Sequence, residues 1–269
     1  MATVQLTQTA KEIKSCCALL YESDWATVLL GDSFHPGGLA LTQRLGQLLD
    51  LQPNQRVLDV ATGKGANAIF LTQQFGCQVV GIDYGLNIIT EATANAEQAG
   101  VTNRVRFEQG DAERLGFDDN SFDAIICECA FCTFPNKTVA AREFAKVLRP
   151  GGRVGLSDLT RNGPLPSELD SLLAWIACIA DARPIEDYTS HLQEAGFIIN
   201  QTEAHSGALA EMVRDVQAKL LGAEIMVKLN KIDLSGLDLA QTKSLARHSA
   251  EAVQAGKLGY ALITGTKLG

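Results

Sequence analysis

Two sets of residues in this 269-residue chain have the types and spacing to do chemistry. The first is Val57-Leu58-Asp59-Val60-Ala61-Thr62-Gly63-Lys64-Gly65-Ala66, an apolar run that breaks into a glycine turn. Asp83 closes the next apolar run, Val79-Val80-Gly81-Ile82. Glycines let a backbone approach a ligand closely, and a carboxylate one strand away accepts hydrogen bonds from ribose hydroxyls. The pair describes a nucleoside-binding crevice. The second set is the cysteines, seven in all: Cys16, Cys17, Cys77, Cys127, Cys129, Cys132 and Cys178. Cys77 and Cys127 read as small buried hydrophobes. The other five are candidates for chemistry, because thiolates bind soft, thiophilic centres whose ligands come from well-separated positions. Cys129-x-x-Cys132 also raises zinc, but a closed zinc site needs four ligands and neither a second Cys-x-x-Cys nor a His pair is present. No metal site is assigned.

The elements that must position these residues follow from hydrophobic patterning. Apolar, strand-like runs occur at 56–61, 78–82, 104–108, 123–127 and 153–156, with helical patterns between them, including 86–98 and 138–148. Continuous apolar strands alternating with helices predict a parallel sheet covered on both faces. Strand-like runs at 197–203 and 258–266 are separated by helical spacing at 209–229 and 239–254. The chain is therefore read as a helical cap (1–50), a Rossmann-like core (51–207), a helical insertion or lid (208–256) and a last core strand (257–269). Helical spacing from about 6 to 30 supplies the cap. Asp158 is expected to end the fifth strand, Cys178 to lie on the apolar helix after it, and both Asp158 and His35 to be placed to face the pocket.

Composition excludes several classes. A net charge of −8 with pI near 5.1 lacks the basic face of a nucleic-acid binder. The most apolar run, Leu172 to Ala180, is far short of the roughly 20 residues that span a bilayer. An odd cysteine count without a secretion signal favours a reduced, cytoplasmic setting.

Further markers accompany the glycine loop. Gly110-Asp111-Ala112-Glu113 follows the third strand-like run, Phe117-Asp118-Asp119-Asn120-Ser121-Phe122-Asp123 precedes the fourth, and Leu148-Arg149-Pro150-Gly151-Gly152-Arg153-Val154 leads from a helix into the fifth. Over about residues 35 to 200 this series resembles the class I S-adenosylmethionine-dependent methyltransferases. The resemblance implies an α/β, doubly wound seven-stranded sheet and S-adenosylmethionine as cofactor. It places Asp59, Ala61, Thr62, Gly63 and Gly65 near the methionine end, Asp83 at the ribose, Tyr84 against the adenine, and Asp111 with Ala112 at the adenine amino group. Ala61 stands where the common pattern has its first glycine.

A narrower resemblance lies in Ser157-Asp158-Leu159, Leu165-Pro166-Ser167-Glu168-Leu169, Ala177-Cys178-Ile179-Ala180-Asp181-Ala182 and the segment Tyr188 to Phe197, with Ser15-Cys16-Cys17 near the start. These are similar to the arsenite methyltransferases, in which a cysteine at the position of Cys178 binds trivalent arsenic. That family's cysteine near the glycine loop has no counterpart, since Asn67-Ala68-Ile69 stands there, and no cysteine follows Cys178. A three-thiolate site must then recruit Cys129 or Cys132, or Cys16 and Cys17. The expected function is methyl transfer to a small soft acceptor, arsenite or methylarsenite first, with Cys17, Cys129, Cys132 and Cys178 as reacting groups and Cys16 and His35 beside them. Sulfide, small thiols or an ordinary organic metabolite are the alternatives.

Overall fold

A computed structural model describes residues 14–15, 35–171, 174, 178–228 and 238–269. Cys16, Cys17 and most of the N-terminal helical spacing lie outside the described residues.

Seven strands form one sheet: β1 (Arg56–Val60), β2 (Gln78–Asp83), β3 (Val105–Gln109), β4 (Phe122–Glu128), β5 (Leu148–Arg161), β6 (Phe197–Ala204) and β7 (Leu258–Lys267). Their order across the sheet is β3-β2-β1-β4-β5-β7-β6, with β7 antiparallel to both of its neighbours and the pairs from β3 to β5 parallel. The described helices are α1 (Gly38–Leu48), α2 (Ala66–Phe75), α3 (Leu86–Gln98), α4 (Lys137–Val147), α5 (Ile185–Glu194), α6 (Ser206–Lys228) and α7 (Leu239–Gln254). None of the described helices is long and apolar enough to cross a membrane.

The central strands β1, β2 and β4 are mostly apolar because both of their faces are buried, whereas the edge strands β3 and β6 carry exposed polar residues. On β4, Ile125 and Cys127 join the larger core, while Ala124 and Ile126 point into the core on the opposite face with Leu45, Leu49 and Leu71. On β1, Leu58 and Val60 divide from Val57 in the same way. Each such aliphatic side chain stabilises the sheet by about 1.5–3 kcal/mol when fully buried.

β5 is much longer than its apolar run. It begins at Leu148, paired with Phe122, and a bulge shifts the register before Arg153 pairs with Ala124. The preceding helix stops at Val147, because Pro150 makes the helical region unfavourable for Arg149 and Gly151 takes φ 75°. At its other end β5 runs on to Arg161, so Asp158 lies inside the strand, opposite Ala261 of β7. Leu258 pairs with Arg161, which returns the chain to the carboxyl end of β5. α6 and α7 sit there, packed on each other and on β7, with α7 also against the short turn Ser167–Leu169.

Candidate active site

The strand order reverses at β1, with β2 on one side and β4 on the other. In open α/β sheets the crevice at the carboxyl ends of such strands is where ligands bind. A pocket opens there, lined by Val60 to Gly63 at the end of β1, Asp83 and Tyr84 at the end of β2, Gly110 to Ala112 after β3, and Glu128 to Ala130 at the end of β4.

Short-range bonds hold the glycine loop. Thr62 donates its N–H to the Ile82 carbonyl (2.9 Å) and its hydroxyl to Asp59 Oδ2 (2.5 Å). Asp83 braces the loop from β2, with Oδ2 accepting from Gly63 N–H (3.0 Å) and Oδ1 from Gly85 N–H (3.1 Å). Phe107 of β3 fills the space beneath. A Cβ at Gly81 would lie 2.4 Å from its ring and one at Gly65 2.5 Å, so neither position accepts a side chain.

Ala61 takes φ 58°, the left-handed conformation that glycine adopts freely. The left-handed strain of an L-residue, roughly 1–2 kcal/mol, exceeds the 0.4–1 kcal/mol by which glycine loosens the unfolded chain. Ala61→Gly is therefore expected to raise stability by about 0.5 kcal/mol, readable as a higher urea midpoint.

Lys14 closes the end of the pocket beside Asp111. Its Nζ donates to Asp111 Oδ1 and Oδ2 (2.8 and 2.9 Å) and to Glu113 Oε2 (2.8 Å). Burial works against the ammonium charge, but the two carboxylates outweigh it and hold the Lys14 pKa above its usual value. Asp111 thus reaches the pocket already engaged by a cation.

At the opposite end a buried polar cluster surrounds Glu128. Its Oε2 accepts from Thr42 Oγ1 and Asn67 Nδ2 (both 2.9 Å) and its Oε1 from Ser157 Oγ (3.2 Å), which in turn accepts from the Tyr260 hydroxyl (2.8 Å). His35 does not face the pocket. It is buried behind this cluster, with Nε2 near Thr42 and Asn67 and 3.9 Å from Glu128. The sequence reading missed the whole cluster. One signal was legible, a glutamate interrupting the apolar end of the fourth strand.

Beside Glu128 the cysteines meet. Cys129 follows β4, Cys132 lies in the short turn Phe131–Thr133, and Cys178 sits in a turn rather than on a helix. Ile179 and Ala180 both donate to the Ala174 carbonyl, the backward bonding that closes a helix end, and Cys178 takes φ 63° where glycine is usual. The sulfurs of Cys129 and Cys178 and a carboxylate oxygen of Asp158 lie within 4.8 Å of one another. Cys178 Sγ donates to the Cys129 carbonyl (3.0 Å), and Cys132 is near enough for Cys178 to push its thiol pKa up. Cys132 and Cys178 are buried and off the pocket wall, whereas Cys129 lines it. Cys129 also has positive φ (52°). Two strained non-glycine residues meeting at one point indicate a constraint beyond packing.

Cys129 and Cys132 hold their protons. The hydrogen bond with Cys178, then burial, raises the Cys129 pKa well above the usual thiol value; burial, then the neighbouring Cys178, does so for Cys132. Asp158 accepts from the N–H groups of Cys132 (2.8 Å) and Leu159 (2.9 Å), yet burial, with Cys178 adding to it, pushes its pKa up to about 7. In the unfolded chain this carboxyl ionises near 3.8. The folded state therefore binds the extra proton between these values. Its stabilising contribution is complete below about 4, is lost as pH rises to about 7 and is flat above, on the order of 4 kcal/mol in all. Urea midpoints should fall between pH 5 and pH 8, and Asp158→Asn should shrink that fall.

A methyltransferase-domain family profile matches residues 51–221. The chain belongs to the class I S-adenosylmethionine-dependent methyltransferases. Among solved structures, a putative sarcosine dimethylglycine methyltransferase from Galdieria sulphuraria superposes on this methyltransferase with a TM-score of 0.79 at 22% identity, covering 92% of this chain and 98% of that one. A phosphoethanolamine N-methyltransferase of Triticum aestivum is 36% identical over 60% of this chain and 31% of its own length. An arsenite methyltransferase of Halobacterium salinarum (strain ATCC 700922 / JCM 11081 / NRC-1) is 32% identical over 55% of this chain and 38% of its own. The chain spans about a third of the length of these two curated relatives.

Proposed function

We propose that this chain transfers a methyl group from S-adenosylmethionine to trivalent arsenic, as arsenite or methylarsenite, held by Cys129, Cys132 and Cys178. The observation that carries the reading is the meeting of the Cys129 and Cys178 sulfurs with a carboxylate oxygen of Asp158 within 4.8 Å beside a wall of the crevice, with Cys132 in the turn whose N–H that same Asp158 accepts.

The residues present fit the cofactor. Gly65 and Gly81 keep Phe107 tight beneath the loop, and the Asp83 carboxylate stands at the end of β2 on the pocket wall, the chemistry that ribose hydroxyls call for. Ala61 to Gly63 then serve the methionine end, with Asp59 and Gly65, both off the pocket wall, shaping the loop through Thr62 and Phe107, and Tyr84, Asp111 and Ala112 serve the adenine. When bound, S-adenosylmethionine supplies a methyl group activated on a sulfonium. The chain's own task is to hold the acceptor within about 3 Å of that carbon and exclude water. Cys129 is suited to this because it belongs both to the pocket wall and to the thiol cluster.

Protonated thiols suit arsenite. As(OH)₃ is neutral, and each S–As bond forms as one thiol proton leaves with one hydroxyl as water. Three thiols thus give a neutral tris-thiolate and three waters. No charge is buried, and arsenic keeps its lone pair. The reaction requires no general base, in keeping with the absence of an obvious one in the sequence.

A second reading, methylation of an organic amine, is favoured by the likeness to the wheat protein. Against a phosphorylated acceptor stands the pocket's charge: Lys14 is the one Lys or Arg among the described lining residues, and Asp111 and Glu113 engage it. Sulfide or small thiols are the remaining soft acceptors. The test is S-adenosylhomocysteine formation from labelled cofactor under reducing conditions with arsenite, sulfide, a small thiol and phosphoethanolamine. Turnover with arsenite is expected; turnover with phosphoethanolamine alone would transfer the assignment to the second reading.

A further inference from the structure

Glu128 has no role in the thiol cluster, yet it is one of the best-buried carboxylates in the molecule and it lines the pocket. Its partners are notable for what they do not carry. Thr42, Asn67 and Ser157 donate to it as neutral groups, and the one titratable base within ion-pair distance among the described residues is His35, at 3.9 Å. Neutral donors orient a carboxylate without cancelling its charge, and a buried charge without a counter-charge is costly unless a ligand brings one.

The surroundings add to the same sign. Asp59, on the strand paired with β4, is also buried, and Asp83 stands at the end of β2. Burial pushes the Asp59 carboxyl up to about 7 against the hydrogen bond from Thr62, with Glu128 and Asp83 adding repulsion. This end of the pocket therefore disfavours further negative charge and favours positive charge. The cation at the other end, Lys14, is held by Asp111 and Glu113.

We infer that Glu128 is the charge-selecting residue of the cofactor site. Its carboxylate favours a ligand that is positive at the methionine end, a sulfonium, over the uncharged thioether that remains once the methyl group has left. The inference rests on the cofactor reading above and is independent of the acceptor. It assigns Glu128 a specificity role, with Thr42, Asn67 and Ser157 as the residues that aim it. Transfer of the methyl group removes the charge that Glu128 attracts, so the same residue that retains the substrate favours release of the product.

Calorimetric titration tests it with three ligands: S-adenosylmethionine, sinefungin (an amine cation at the position of the sulfonium methyl) and S-adenosylhomocysteine. The wild-type chain is expected to bind the two cations more tightly than the neutral product. Glu128→Gln should weaken both cations by about 10- to 100-fold, the scale of one partly screened unit charge, and the neutral ligand by less than about threefold. Glu128→Asp, which keeps the charge, should keep the preference. Equal weakening of all three ligands by Glu128→Gln would mark a merely structural role and overturn the inference. So would a wild-type chain that binds the neutral product as tightly as the cations, a result that needs no variant to fold. A wild-type chain that binds none of the three would overturn the cofactor reading and the inference with it.

Discussion

Cys178→Ser is expected to lower arsenite-dependent turnover at least about 100-fold while leaving S-adenosylmethionine affinity within about threefold, since a hard hydroxyl replaces a soft thiolate ligand. The argument is one of place. Cys178 does not line the pocket, so its loss removes no cofactor contact, but its sulfur lies with that of Cys129 and a carboxylate oxygen of Asp158 within 4.8 Å. The serine hydroxyl has a ready acceptor in the Cys129 carbonyl, which already receives the thiol at 3.0 Å, so the buried polar group is not orphaned. Single-turnover methylation of arsenite, with cofactor binding measured on the same preparation, separates the two effects. Unchanged turnover would remove the thiol cluster from the mechanism and leave the organic acceptor as the better reading.

Asp83→Ala is expected to weaken S-adenosylmethionine binding by about 100-fold, because two effects coincide, each the loss of a hydrogen bond to a charged group. The first is internal. Asp83 is the acceptor that ties Gly63 N–H to the end of β2 and shapes the start of α3 through Gly85, so its loss releases the loop. The second is the ribose contact proposed for this carboxylate. Asp83→Asn separates them, since an amide oxygen replaces one of the two acceptors and brings a donor toward a backbone N–H. Equilibrium binding of the cofactor to both variants checks this, with Asn no better than Ala if the internal brace dominates. Retained affinity in both would mean that the carboxylate belongs to the loop alone.

Much of the fold is legible in the chain because its signals are local. Val57 to Val60 (interrupted only by the buried Asp59), Val79 to Ile82 and Ala124 to Cys127 are apolar runs since each strand is buried on both faces, and a period-2 pattern would have been wrong for them. The insertion of α6 and α7 between β6 and β7 was legible for the same reason, from three- and four-residue spacing. β5 was less so. Pro150-Gly151-Gly152 has the composition of a turn, and only pairing of Leu148 with Phe122 and of Arg161 with Leu258 makes those residues part of a strand.

The site divides along the same line. By itself the sequence determined the glycine loop, the carboxylate at the end of the second strand and the presence of several thiols around the fourth, because each is a short motif whose backbone geometry follows from its own residues. Tertiary structure alone decided which groups face one another. Cys178 reaches Cys129 only because the chain after β5 folds back across the end of β4. Glu128 is held by neutral donors alone because Thr42, Asn67 and Ser157, from three other elements, meet around it. The physical reason is that a side chain's charge and reactivity depend on desolvation and on neighbours distant in sequence, and neither is written in the residues beside it.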